Sequence, residues 1–309
     1  MTLMRKDSRF FKEAKLMLTV MPSVAAESCF ALKGGTALNF FLHDMPRLSV
    51  DIDLTYLPIE DWKTSLPKIT HALKAIAERL HRINADLHVQ EGKLKNTQTV
   101  TKLYVNNADT QIKIEPNLVL RGTLFPVEIL RLSPKVEELF ETSTKIATVS
   151  KADLYGGKIC AALDRQHPRD LFDIKILFEN EGITAEIRKG FIVYLSSHGQ
   201  TMSQLLNPTR KNIEKEFAEE FAEMPTKPVA LKELLMVREK LITTLKSELT
   251  QDERQFLLSI KMGHPNWPLL GVAGAEKLPA IQWKLTNIKK MKPDHHHKSI
   301  DRLRAILDL

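Results

Sequence analysis

The sequence predicts an α+β fold, in which a mixed β-sheet with flanking helices over residues 1–180 is followed by a mainly helical C-terminal domain over residues 181–309. Two observations support this prediction. Alternating apolar and polar segments lie between helical patterns up to about residue 180, and almost only helical patterns follow. The chain has 309 residues, of which 43% are hydrophobic and 27% charged, so it can bury a core in one large or two ordinary domains.

Two periodicities of apolar residues predict the helices and strands of residues 1–180. Apolar residues at helical spacing predict helices, and runs with period two predict strands. Asn106 to Asp109 has the composition of a turn, so the strands on either side of it form a predicted hairpin. The predicted helices are 10–26, with an interruption near Pro22, 36–43 and 62–83, and the predicted strands are 49–54, 87–90, 97–105, 111–116 and 123–128.

The second part is predicted to be helical, in segments that proline and glycine separate. Met224-Pro-Thr-Lys-Pro228 joins two of these helices, and the stretch from Gly263 to Pro268 interrupts a later run. The predicted helices are 184–196, 207–221, 231–249 and 251–261.

The predicted strand 49–54 carries two carboxylates on one face. Successive strand side chains point to opposite faces, so Ser49, Asp51 and Asp53 share one face and apolar residues occupy the other. Aspartate is depleted in strands, and two like charges about 6–7 Å apart disfavour folding. Such a pair suits Mg²⁺ or Mn²⁺, which carboxylates bind together with substrate phosphates. A solvated edge strand is the alternative for this motif alone.

Gly34-Gly35-Thr36 precedes an amphipathic helix and the acidic strand. Glycines before a helix let backbone N–H groups approach an anion, and the helix N-terminus adds a partial positive charge. These residues are therefore a predicted cradle for nucleotide phosphates, with Ser49 as a further candidate binding residue. A phosphate cradle beside a metal-binding strand is the combination that two-metal phosphoryl transfer requires.

Gln111 to Pro116 supplies a candidate third acid. The alternation of this segment puts Lys113 and Glu115 on one face, and Pro116 ends the predicted strand. Glu115 is predicted to complete the metal site. A surface strand of alternating charge is the alternative.

Lys151, Lys158 and Arg165 recur at seven-residue spacing in a helical pattern. The residues between them are largely apolar, which predicts a buried helix whose cations face a nucleoside triphosphate. Asp170 and Asp173 lie at positions i and i+3 of the next predicted helix. They are candidates for orienting Arg169 or Lys158 by charge pairing, or for helix capping and salt bridges.

In this order the motifs resemble those of the AbiEii/AbiGii-type abortive-infection toxins, which belong to the nucleotidyltransferase superfamily that includes DNA polymerase β. The resemblance spans residues 33–173, and the C-terminal helices are similar to the helical tail of such proteins. The motifs are Lys33-Gly-Gly-Thr-Ala-Leu38, Arg47-x-Ser-x-Asp-Ile-Asp-Leu54, Lys113-Ile-Glu115, and Lys158 to Arg165 followed by Arg169-Asp-Leu-Phe-Asp173.

The resemblance implies a polymerase-β-like sheet and a metal-dependent enzyme that moves a nucleoside monophosphate from an NTP to an acceptor and releases pyrophosphate. Asp51, Asp53 and Glu115 are the expected ligands of Mg²⁺ or Mn²⁺. Lys158 is expected to neutralise the leaving pyrophosphate. The expected nucleotide-binding residues are Gly34, Gly35, Thr36, Ser49, Arg165, Asp170 and Asp173.

The resemblance also implies a biological role. The expected acceptor is RNA, at the 3′ end of tRNA, and the protein is expected to be a growth-inhibiting toxin that a cognate antitoxin neutralises. Two alternatives stay open. An enzyme of this fold can instead modify a protein or a small molecule of the aminoglycoside type. A non-catalytic module that holds nucleic acid or protein predicts degraded metal ligands, whereas this chain keeps the three acids and Lys158.

Charge and composition agree with a cytoplasmic protein that binds a polyanion. Lys and Arg number 45 against 38 Asp and Glu, a net charge of +7 that supports nucleic-acid binding without establishing it. Cys29 and Cys160 form no Cys-x-x-Cys motif and are expected to be free thiols in a reducing cytoplasm. The sequence shows no apolar run of membrane-spanning length and no secretory signal, so no membrane partner is expected.

Overall fold

A computed structural model of the chain describes residues 6–309. It confirms the α+β class, with a seven-stranded mixed sheet and many helices. The strands are β1 (Phe30–Lys33), β2 (Ile52–Tyr56), β3 (His88–Lys93), β4 (Val100–Asn106), β5 (Gln111–Asn117), β6 (Glu128–Arg131) and β7 (Lys145–Thr148).

The helices include one that begins directly after β1. This helix, α2 (Gly34–Thr36), continues as a π-helical segment, Ala37–Leu42. The helix predicted at 36–43 therefore begins two residues earlier, at Gly34. Pro22 lies inside a continuous helix, so the predicted interruption there is wrong. The helices are α1 (Arg9–Ala25), α2 (Gly34–Thr36), α3 (Trp62–Ile83), α4 (Pro134–Phe140), α5 (Lys151–Asp164), α6 (Pro168–Asn180), α7 (Ala185–Ser197), α8 (Met202–Leu206), α9 (Glu214–Glu220), α10 (Leu231–Glu248), α11 (Gln251–Met262), α12 (Trp267–Leu270), α13 (Pro279–Lys289) and α14 (Pro293–Leu307), with a 3₁₀ turn at Ala275–Lys277.

The described residues form two compact units. The first contains the sheet and comprises the chain up to Ser150 together with Glu220–Pro228, and the second comprises Lys151–Glu219 and Val229–Leu309. Helices α5 and α6 therefore group with the later helices, whereas the sequence predicts them in the first domain. A division into independently folding domains at residue 180 stays a prediction.

The sheet of the first unit has the order β3-β4-β5-β2-β1-β7-β6. β2 is its central strand, since it pairs in antiparallel with β1 and in parallel with β5. A strand with a neighbour on each side is not an edge strand, so that alternative for the acidic motif is wrong. The regular part of β2 begins at Ile52, three residues later than predicted.

The core of the first unit lies between the sheet and helices α1 and α3. α3 contacts β3 and β4, α1 contacts β5 and β7, and the two helices contact each other. Ile52 and Leu54 of β2 and Ile114 of β5 are completely buried. Burial of each such side chain contributes about 1.5–3 kcal/mol to stability, and this fixes which face of the strands carries the polar residues.

The second unit is built around α5 and α7, which approach each other closely through glycine. A Cβ atom on Gly156 would lie 2.6 Å from the carbonyl carbon of Gly190, and one on Gly190 would lie 2.5 Å from the backbone oxygen of Ala152. Gly156 therefore serves helix packing. Within residues 6–309, every helix is too short or too polar to cross a lipid bilayer.

Candidate active site

Asp53 and Glu115 are neighbours across two parallel strands. They are register partners in the β2–β5 pair, where adjacent strands lie about 4.8 Å apart. Both residues are half-buried. Asp51 immediately precedes β2 and is also half-buried. The structure therefore brings two of the three predicted acids side by side, with the third two residues away along the chain.

Gly34 lies against Asp53. Lys33, the last residue of β1, is the register partner of Asp53, and the chain then turns into α2 at Gly34 with φ of +73°. A Cβ atom on Gly34 would lie 2.6 Å from Oδ2 of Asp53. Only glycine combines this backbone conformation with this clearance. The backbone of the predicted phosphate cradle and the acidic strand are thus in direct contact.

Thr36 and Ser49 lie inside the loop that carries the acids. Oγ1 of Thr36 is 2.6 Å from the backbone oxygen of Asp51 and 2.9 Å from Oγ of Ser49, and both side chains are buried. A Cβ atom on Gly35 would lie 2.7 Å from Nη2 of Arg47 and 3.1 Å from Oγ of Ser49. These contacts hold the start of the acidic strand against α2.

Arg47 has no assigned role in the sequence analysis, and the structure places it in the same cluster. Its side chain is only 2% exposed, and Nη1 donates a hydrogen bond to the backbone oxygen of Leu48 at 2.8 Å. The segment 46–48 is bonded to the segment 224–226, because Leu48 N donates to Met224 O and Thr226 N donates to Pro46 O, both at 2.9 Å. The sequence signal for Arg47 is its place as the first residue of the family motif that also contains Ser49 and Asp51.

Two lysines engage the Glu115 carboxylate. Lys102 Nζ lies 2.8 Å from Oε1, and Lys113 Nζ lies 2.8 Å from Oε2. Burial raises the pKa of Glu115, but the hydrogen bonds and charges of the two ammonium groups outweigh it and hold that pKa below its ordinary value. Burial lowers the pKa of Lys113, whereas the Glu115 hydrogen bond and the charges of Asp51 and Asp53 raise it above its ordinary value. Lys113 therefore lies in the field of three carboxylates.

The acids have the chemistry that Mg²⁺ or Mn²⁺ requires, since both ions prefer carboxylate oxygens. Within the described part of the chain, no three Asp, Glu, His or Cys side chains are arranged as a metal site. Both oxygens of Glu115 contact ammonium groups. The chemistry of Asp51 and Asp53 suits a divalent ion, whereas the Glu115 carboxylate already accepts from two lysines, with which a metal ion would share it. Its role as a third metal ligand stays a prediction.

A second charged cluster lies between α5 and α6 in the second unit. Nζ of Lys158 is 2.8 Å from Oδ2 of Asp173 and 3.1 Å from Oδ1 of Asp170, and all three side chains are at least 92% buried. Burial raises the pKa of Asp170, but Lys158 and Arg165 outweigh it and hold that pKa below its ordinary value. Asp170 and Asp173 therefore pair with the buried Lys158 ammonium, which agrees both with orientation of Lys158 and with a salt-bridge role.

Arg165 and Lys151 differ from Lys158 in exposure. The Arg165 side chain is 63% exposed, and its Nη2 lies 2.9 Å from the Asp170 carboxylate. Lys151 lies 2.6 Å from Glu181. Arg165 follows the last residue of α5. Of the three cations predicted to lie on one helix, only Lys151 and Lys158 are therefore part of α5. Among these three cations, Arg165 presents most of its side chain to solvent.

Comparison with known proteins agrees with these motifs. No curated protein sequence matches the chain. A solved structure with a similar fold is MenT4, a nucleotidyltransferase toxin from Mycobacterium tuberculosis H37Rv, at 13% sequence identity, with a TM-score of 0.59 over 91% of this chain and 95% of that chain. A family model described as the nucleotidyl transferase AbiEii toxin of type IV toxin–antitoxin systems matches residues 15–287, which include both charged clusters. The chain therefore belongs to the AbiEii family of nucleotidyltransferase toxins.

Proposed function

We propose that this nucleotidyltransferase moves a nucleoside monophosphate from an NTP to RNA, at the 3′ end of tRNA, with Mg²⁺ or Mn²⁺ bound at Asp51 and Asp53. The observation that carries this proposal is the contact between Gly34 and Asp53. Phosphates that lie along the Gly34 backbone also lie beside the carboxylate, so one nucleotide meets both the amide groups and the acidic pair.

The residues of the first unit divide into binding and positioning roles. The backbone N–H groups of Gly34 and Gly35 hold phosphate oxygens. A divalent ion, when bound, neutralises phosphate charge and polarises the reacting oxygens. Thr36 holds Asp51 in place through the contact of its hydroxyl with the Asp51 backbone oxygen, and Ser49 supports Thr36 through the hydrogen bond between their hydroxyls.

Lys158 and Arg165 are the proposed source of positive charge for the pyrophosphate. Lys158 is held by Asp170 and Asp173, which fix its ammonium in one position. Arg165, which is mostly exposed, offers a guanidinium with five donors that match phosphate oxygens. Stabilisation of the developing charge by such fixed groups is the main task of a protein in phosphoryl transfer.

The setting of this reaction is the cytoplasm, where NTPs and tRNA are present. Modification of the acceptor end would block translation, and a cognate antitoxin would restore growth. The family membership of the chain supports the toxin and its antitoxin.

The test is transfer of label from each α-labelled NTP in the presence of Mg²⁺. Purified protein is incubated separately with total tRNA, cell protein and aminoglycosides. We expect label in tRNA and none after treatment with EDTA. Label in protein or in an aminoglycoside would show that tRNA is not the acceptor. Transfer that survives EDTA would contradict the proposed metal dependence.

A further inference from the structure

A groove of about 650 Å³ runs along α3 in the first unit. One side is a face of α3 that includes Trp62, Lys63, His71 and Lys74, and the other side includes Gln98 and Thr99 from the β3–β4 connection. The residues from 63 to 74 span about 16 Å of helix. None of the described residues that line the groove is acidic, so its charge is positive.

Trp62 is an exposed aromatic residue with a fixed position. Trp62 is 43% exposed and lies in the first turn of α3. The guanidinium of Arg121 lies 5.4 Å from the centre of the indole ring, and Arg121 is only 6% exposed. Arg121 in turn donates to Ser65 Oγ and to Glu60 O. The indole is thus held by a buried cation while much of the ring stays in solvent.

The acidic residues nearest in sequence to Trp62 accept hydrogen bonds from groups of the protein. Asp61 caps α3 by accepting a hydrogen bond from Thr64 N at 2.8 Å. Glu60 accepts hydrogen bonds from Lys68 and from the Tyr56 hydroxyl. Lys63 and Lys74, by contrast, are exposed. A ligand in the groove therefore meets two ammonium groups and an aromatic ring.

We propose that this groove binds single-stranded nucleic acid, with a base stacked on Trp62 and phosphates beside Lys63 and Lys74. Stacking on an aromatic ring and neutralisation of the backbone are the two interactions that hold single strands without sequence preference. The bases of a duplex are stacked on each other, so they do not reach the indole. The inference rests on the proposed function in one respect, since the bound strand would be part of the RNA acceptor.

Direct contact with Trp62 is tested by fluorescence without NTP or metal. The chain has three tryptophans, and replacement of the other two, in Trp267→Phe/Trp283→Phe, leaves Trp62 as the only indole. Addition of a single-stranded RNA 12-mer should quench and shift its emission. Unchanged emission while the RNA is bound, as shown by anisotropy of a labelled strand, would overturn the proposal.

Affinity is tested with matched variants. Trp62→Ala should weaken binding of the 12-mer by about 5- to 150-fold, the range for loss of one stacked base. Trp62→Phe should retain most of the affinity. Trp283→Ala removes another tryptophan, 61% exposed, and should bind like wild type. Equal affinity of folded Trp62→Ala and Trp283→Ala would overturn the proposal, as would loss in Trp62→Phe equal to that in Trp62→Ala.

The charge contribution is tested by salt dependence. Lys63→Ala/Lys74→Ala should reduce the slope of log K against log salt by about 1.4, since each phosphate contact of a single strand contributes about 0.7. Lys232→Ala/Lys246→Ala removes the same charge from exposed positions of α10 and should leave the slope unchanged. Equal slopes in the two double variants would overturn the proposal.

Two competitors decide the class of ligand. A duplex of the same sequence and polyglutamate should each displace the 12-mer poorly. Displacement by polyglutamate as effective as by RNA would assign the groove to an acidic protein and overturn the proposal. Binding through Trp62 without label transfer would leave the groove standing and reject the proposed function, whereas transfer to tRNA with no involvement of Trp62 would reject the groove alone.

Discussion

The ammonium of Lys158 lies 2.8 Å from the carboxylate of Asp173, and both side chains are at least 92% buried. Asp170, at 3.1 Å, completes a triad in which one cation pairs with two carboxylates. Removal of one partner from a buried ion pair is strongly destabilising. Lys158 therefore contributes to folding in addition to its proposed role with pyrophosphate.

Lys158→Ala is expected to destabilise the protein by about 3–5 kcal/mol, because it removes the buried ammonium that contacts both buried carboxylates. The free energy of unfolding is measured by urea titration. Lys151→Ala is the matched control on the same helix, since Lys151 pairs with Glu181 at a more exposed site and its loss should cost at most about 1 kcal/mol. Similar costs for the two variants would contradict the triad.

Arg165→Gln is a cleaner test of phosphate charge. Arg165 is 63% exposed, and Lys158 still pairs with Asp170 in its absence, so the variant should remain folded. If its guanidinium contacts the pyrophosphate, transfer should fall by about 10²–10³-fold, the usual effect of losing one fixed donor to a transition state. Wild-type transfer by a folded Arg165→Gln protein would contradict a contact between the Arg165 guanidinium and pyrophosphate.

The pH dependence of stability follows from Asp170, whose pKa is held below its ordinary value despite burial. A carboxyl with a lower pKa in the folded state binds fewer protons there than in the unfolded chain. Its stabilising contribution is therefore complete above the unfolded pKa of about 4 and is lost as pH falls through the folded pKa. Unfolding free energies of wild type and Asp170→Asn, measured from pH 7 to pH 3, should converge below about pH 4. Parallel profiles would contradict this.

Local patterns predicted the hairpin and the long helices. Elements that depend on pairing between residues far apart in sequence were predicted less well. The turn at 106–109 is confirmed, since Asn106 pairs with Gln111 across it. β7 was missed and β6 lies later than the predicted strand 123–128, because these short strands are stabilised by pairing with each other and with β1. The predicted helix 207–221 is wrong at its start, where Pro208 lies between α8 and α9.

The site shows the same division. Period two predicted a strand with Asp53 opposite the buried residues Ile52 and Leu54, and this is confirmed. The pairing of Asp53 with Glu115 depends on parallel register between segments far apart in sequence, which no local pattern specifies. Arg47 stands in a family motif but received no predicted role, because arginine is rarely buried and pattern alone places it on the surface.

Gly34→Ala should abolish most transfer through a steric effect on Asp53. Gly182 is the matched control, since both glycines have positive φ, +73° and +70°, but nothing lies within 4 Å of a Cβ on Gly182. The backbone penalty, about 1–2 kcal/mol, is thus common to both variants. Only Gly34→Ala places a methyl group against the carboxylate. Label transfer and urea unfolding are measured for both, and equal activity at equal stability would remove Gly34 from the site.

Asp53→Asn tests the acidic pair most directly, because it keeps the shape of the side chain and removes its charge. Folding should be preserved, since the change relieves repulsion between neighbouring carboxylates. Transfer should fall by at least about 100-fold, more than the 10–100-fold typical of residues that only support a metal ligand. Asp109→Asn, at the exposed turn of the β4–β5 hairpin, is the matched control and should transfer label like wild type. Activity of a folded Asp53→Asn protein within tenfold of wild type would reject Asp53 as a ligand.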